Sequence, residues 1–185
     1  MDYSEYHSNI SSGDLIVFSA TKIRTTYDLL SYIVRLFTMS EYNHVGIAWV
    51  IGDRNLIVEA QVPEVKISPL KKLGSFYHIP MGIDFNDNAL ELLLDKVGQK
   101  YSYFEAIKAY FNKNDHTNDD WICVDYVKYF YESVGIDIGT VHTPSDVVTN
   151  VIRNLNKSLH YVENKVDSGL YPLIKYKKDI DQLVG

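Results

Sequence analysis

The sequence predicts an α+β fold in which an antiparallel sheet, or a small barrel, packs against helices, one of which carries the only cysteine of the chain. Three observations lead there. A nearly continuous apolar run over 43–51 is followed by the turn residues Gly52-Asp53-Arg54-Asn55 and a second β-type run over 56–60, which together read as a hairpin. Several other short β-type runs are bounded by glycine, proline or aspartate. The stretch from Asp119 to Gly135 reads as a helix with its start and stop signals in place. Asp119 or Asp120 is positioned to accept from the free N–H groups of the first turn, and Gly135 to take the left-handed exit. Val124, Val127, Tyr131 and Val134 recur at spacings of three and four, which buries one face. Cys123 falls in the first turn, where the positive end of the helix dipole favours a thiolate, the nucleophilic form. A lone cysteine on a helix is usually a small buried hydrophobe, so its placement alone makes Cys123 a candidate and no more.

Taken in order, residues 1–12 are polar and read as a loose lead-in. Ser12-Gly13-Asp14 is turn chemistry, and 15–20 is a short strand. Thr25 or Thr26 caps a helix over 27–37 with Leu29, Leu30, Ile33, Val34 and Phe37 on one side. The run 43–51 suits a strand buried on both faces. His44 opens it, and Glu59 ends the next strand. In an antiparallel pair the start of one strand lies beside the end of the other, so the two side chains can meet. A carboxylate there would hold the imidazole in one tautomer. Singly, each is more often a bland strand-end residue; their registration is what singles them out.

Strands are expected over 65–68 and 76–79. Asn86 or Asp87 caps a helix over 88–97, with Leu90, Leu93, Leu94 and Val97 inward and Gly98 closing it. A further helix is expected over 101–111. Thr143-Pro144-Ser145-Asp146 starts a helix over 147–153, and 159–162 is a last strand.

Composition bounds the function. With 185 residues and no repeat or linker, a single domain over 1–185 is expected. A formal charge of −6 argues against a protein held to nucleic acid or anionic lipid by net charge. One cysteine rules out an internal disulfide and a zinc site of several thiolates, which fits a reducing compartment. The N-terminus has no basic start followed by an apolar run, so a cytoplasmic or intracellular location is expected. No apolar run approaches the ~20 residues that span a bilayer, which leaves peripheral membrane contact as the most a membrane role could be.

Six pieces then occur together in one order: Gly-Asp-Leu-Ile at 13–16, Asn-His-Val-Gly-Ile at 43–47, Val-Glu-Ala at 58–60, Gly-Gln-Lys-Tyr at 98–101, Cys-Val-Asp at 123–125 and Thr-Pro-Ser-Asp at 143–146. In this the chain resembles the circularly permuted branch of the NlpC-type papain-like superfamily, which includes lecithin:retinol acyltransferase-like enzymes, YiiX/YaeF-like proteins and a poxvirus papain-like protein. The resemblance covers a core over 12–150, with 151–185 as a C-terminal extension. Histidine precedes cysteine, as the permuted order requires. The chain departs from the pattern at Val124-Asp125, where Ser-Glu is usual; the acid is kept and the serine is not.

The resemblance implies a papain-like fold and a triad: Cys123 as nucleophile, His44 as base and Glu59 as the residue that orients His44. It also implies that Tyr101 lines the substrate pocket. The reaction would be thioester chemistry on a peptide-like amide or a lipid or acyl ester, with no cofactor. The apolar helix over 27–37 mildly favours an acyl substrate, and the poxvirus relative suggests a viral source. The competing expectations are a binding module that keeps the fold without turnover and a structural protein of a larger assembly. His116 and His142 are weighed as rim residues; His7, His78 and His160 have no context that lifts them. No His-Glu-x-x-His or similar spacing supports a metal site.

Overall fold

A computed structural model describes residues 1–19, 41–61, 63–100 and 121–165. The expected helices over 27–37 and 101–111, together with Tyr101, His116, Asp119, Asp120 and the tail after 165, lie outside the described residues.

The described residues form a mixed α/β fold with four helices and one six-stranded antiparallel sheet. In chain order the elements are α1 (Tyr3–Tyr6), β1 (Leu15–Phe18), β2 (His44–Ile51), β3 (Arg54–Gln61), β4 (Glu64–Pro69), β5 (Phe76–Ile79), α2 (Asp87–Leu94), α3 (Cys123–Ser133), α4 (Pro144–Asn154) and β6 (His160–Val162). The strand order is β4-β3-β2-β1-β5-β6. Among the described residues the outer strands β4 and β6 do not meet, so these strands form an open sheet and not the alternative of a small barrel.

Alternation along the strands divides the core. Leu15, Val17, Val45, Ile47, Val58 and Ala60 join the larger cluster, which also takes in the buried faces of α3 and α4. Ile16, Ala48, Ile57 and Phe76 join a smaller one on the opposite face, together with Tyr6 and Ile10. Residues 45–48 are accordingly buried on both faces, which is why the sequence there is an unbroken apolar run.

α3 is the central helix. Six of its residues are buried, from Cys123 to Tyr131. Tyr131 Oη donates to the Gly13 carbonyl (3.1 Å) and Tyr126 Oη to the Leu93 carbonyl (2.6 Å), tying α3 to the turn before β1 and to α2. Its exit is a Schellman arrangement. Gly135 has φ +83, its N–H donates to the Glu132 carbonyl, and that of Ile136 donates to the Tyr131 carbonyl. The helix start differs from expectation. Ile122 stands at the N-cap and supplies no side-chain acceptor. α4 begins with a capping box in which Thr143 and Asp146 each accept from the other's backbone N–H.

One reading needs correction. Residues 1–12 are not loose: Tyr6 and Ile10 are buried, and the Tyr3 N–H and Met1 carbonyl bond Glu163 just past β6 (2.9 and 2.7 Å). Their few apolar side chains cover the back of the sheet, which a polar average hides. Within the C-terminal extension, α4 runs to Asn154 and β6 joins the sheet, where a helix over 147–153 and a strand over 159–162 are expected. Val97, expected inward, is 38% exposed because α2 stops at Leu94. At the β4 edge, the Val65 N–H donates to the Gln99 carbonyl, and the Gly98 N–H donates to the Val65 carbonyl (2.8 Å each).

Candidate active site

His44 is the first residue of β2, and Glu59 lies near the end of β3. β2 pairs β3 with Ile47 opposite Val58, so Glu59 sits one step past that pair and His44 three. The two are diagonal neighbours across the hairpin, and His44 Nε2 donates to Glu59 Oε2 at 2.7 Å. The expected meeting of these side chains is thus present in the structure. Glu59 is 2% exposed, and the His44 side chain 15%. Phe18, directly opposite His44 on β1, stacks on the imidazole with ring centroids 5.9 Å apart.

Cys123 is the first residue of α3, which packs on β2 and β3, and its influence raises the proton affinity of the same imidazole. With Nε2 committed to Glu59, Nδ1 is the ring nitrogen left for a further partner. Burial alone would lower the imidazole's proton affinity. The influence of Cys123 and the hydrogen bond and negative charge of Glu59 outweigh it and push His44 up to about 10. Burial would raise the Glu59 carboxyl; its bond to His44, the His44 charge, the Ser68 hydroxyl and the Lys66 ammonium hold it below the ordinary value instead. The site therefore favours an imidazolium held by the Glu59 carboxylate, with the Cys123 sulfur at the start of α3 as the nucleophilic atom in the set.

Close approach is built into the hairpin at Gly46. A Cβ there would come within 2.6 Å of Ile57 Cδ1 and 2.9 Å of the Val58 carbonyl oxygen. The residue between His44 and the body of the strand is therefore one that only glycine fits.

Two neighbours escaped the sequence reading. Ser68 Oγ donates to the second oxygen of Glu59, Oε1, at 2.8 Å, and Phe18 supports the ring. Only strand register brings either to the site, and no spacing in the sequence signals it.

The other histidines divide differently from expectation. His78 is fully buried and stands at the centre of a network. Its Nε2 bonds Asp14 Oδ2 at 2.8 Å and its Nδ1 bonds Tyr6 Oη at 3.0 Å. Asp14 also accepts from the Ser11 and Met81 N–H groups, at 2.8 Å each. The network fastens the N-terminal segment to the sheet. His160 lies beside it, His7 bonds the Ser4 carbonyl, and His142 precedes α4 with its N–H on Asp146 Oδ2. Among the described residues, no three His, Cys, Asp or Glu side chains converge as a set that could hold a metal ion.

No protein-family model matches the sequence, and no curated protein matches it. Among solved structures, the fold is similar to that of YiiX from Escherichia coli O157:H7, a protein described as a metalloprotein, with a TM-score of 0.50. The alignment covers 85% of this chain and 92% of that one at 19% identity, so the likeness is one of fold. Among the described residues, no helix is long and apolar enough to cross a membrane.

Proposed function

We propose that this chain is a cysteine-dependent hydrolase or acyltransferase of the permuted papain-like kind, acting on an amide or ester carbonyl through a thioester. The observation that carries the reading is the 2.7 Å bond between His44 and the buried Glu59 carboxylate, with Cys123 at the start of α3 acting on the same imidazole. Cys123 is the nucleophile, His44 the acid and base, and Glu59 the residue that orients His44.

The Cys123 thiolate attacks the carbonyl carbon, and the C=O electron pair moves onto oxygen. The N–H groups of the first α3 turn, that of Cys123 among them, suit this oxyanion, because the Ile122 N-cap brings no side chain to occupy them. The His44 imidazolium gives its proton to the leaving amine or alkoxide as the C–N or C–O bond breaks, and the thioester remains. Neutral His44 then takes a proton from water or an acceptor hydroxyl as that group attacks the thioester, and the thiolate leaves.

Hydrolysis and transfer share these steps and differ in what reaches the thioester. Acyl-ester and peptide-like electrophilic probes, applied to wild type and to Cys123→Ala, test the reading. Labelling that requires Cys123 and prefers one probe supports it and names the substrate class. Failure of both probes favours the second reading, a silent binding module of the same fold. The small exposure of Cys123, 8%, is the observation on that side.

A further inference from the structure

We propose that Ser68 is a positioning residue of this site, holding Glu59 in the one rotamer that faces His44; the proposal rests on the Cys123–His44–Glu59 reading above. Glu59 has two carboxylate oxygens with separate partners. Oε2 accepts from His44 Nε2 at 2.7 Å and Oε1 from Ser68 Oγ at 2.8 Å. In the β3–β4 ladder, Ser68 stands opposite Ile57, and Glu59 opposite Lys66. Ser68 and Glu59 are therefore diagonal on one face of the pair, the geometry in which a short hydroxyl reaches a longer carboxylate.

A glutamate has three side-chain torsions, and one bond to His44 leaves the carboxylate free to rotate about its own axis. The second bond fixes its plane and so the direction from which it meets the imidazole. Because the carboxylate is buried, no solvent takes over the empty oxygen if the hydroxyl is removed. The charged and titratable groups around it are His44 on β2, Lys66 directly across on β4, and Cys123 on α3. Ser68, unlike these, is neutral and can be altered without changing the charge of the site.

The test is the rate of Cys123 alkylation by iodoacetamide from pH 3 to 10 on the whole protein, in wild type, His44→Ala, Ser68→Ala and Ser68→Thr, with the His44 ring followed by NMR. Ser68→Ala removes a donor to the carboxylate, so Glu59 gains a proton at higher pH. The expected result is a fall of about tenfold in rate at neutral pH, and an acid-side limb moved up by about one pH unit. Ser68→Thr keeps the hydroxyl and restores both. An Ala variant with wild-type rate and limb overturns the proposal while leaving the triad standing. So does an Ala variant that loses rate with an unmoved limb, since that is a merely structural loss. If wild type and His44→Ala react alike, the triad reading fails and the proposal falls with it.

Discussion

Replacing Glu59 by glutamine separates charge from geometry at the candidate site. The amide keeps the shape of the carboxylate. Its oxygen can accept from His44 Nε2, and its NH2 can donate to Ser68 Oγ, which then accepts instead of donating. The fold should survive, because both hydrogen bonds can be remade. What disappears is the negative charge. In the wild type, His44 is raised from 6.5 to about 10 by Cys123 and Glu59 against the opposing effect of burial. If Glu59 supplies about half of that rise, removing its charge brings the imidazolium down by about two pH units. Its charged form exists below that value and is lost above it, so the titration of the His44 ring should retreat from near 10 to about 8. At neutral pH, the cost in alkylation rate should be modest, about three- to tenfold, since His44 is still protonated there. NMR titration of the His44 ring measures the retreat directly. A ring titration that stays in place in the variant would refute the reasoning, because Glu59 would then not be what holds the proton on His44.

Other outcomes follow from the same geometry. Stability should track the two ionisations: the contribution of His44 is complete below pH about 6.5 and lost as pH rises through about 10, while that of Glu59 is present above about 4.5 and lost as pH falls through its lower folded value. Thermal melts across pH should show a plateau between these limits, with the alkaline fall missing from His44→Ala. Gly46→Ala places a Cβ against Ile57 and the Val58 carbonyl, an overpacking of about 1–3 kcal/mol, and should lower Tm by about 3–10 °C. His78→Leu strips Asp14 and Tyr6 of a buried partner and should cost about 3 kcal/mol in denaturant melts. The folded fraction of that variant should alkylate at the wild-type rate; a loss of thiol reactivity would mean that His78 is coupled to the site after all.

The sequence carried the hairpin, the Cys123 helix and the meeting of His44 with Glu59, because each is written in local pattern: an apolar run, a turn of two to four polar residues, a glycine exit. It misled where pattern and packing part company. Residues 1–12 are mostly polar, yet Tyr6 and Ile10 are enough to dock them. Residues 159–162 could be seen as a strand, but not that β6 lies next to β5, a pairing across more than seventy residues. His78 looked unremarkable because its partners, Asp14 and Tyr6, are sixty-four and seventy-two positions away. Ser68 and Phe18 reach His44 and Glu59 only through strand register, which no short window of sequence encodes.

An open sheet ordinarily offers its outer strands as templates on which another chain can add. Here, both borders are taken by the chain itself. On one side, the backbone of Glu163 is bonded to residues 1–3. On the other, both backbone groups of Val65 are bonded to 98–99, and Pro69 has no N–H to offer. By alternation, Ile67 is left as the one β4 residue whose amide and carbonyl both still point outward toward no described partner. Intermolecular strand addition therefore finds a foothold one residue wide at this border. Trimming the first ten residues would remove the guard at the opposite border, and self-association rather than simple unfolding is the failure such a truncation should display.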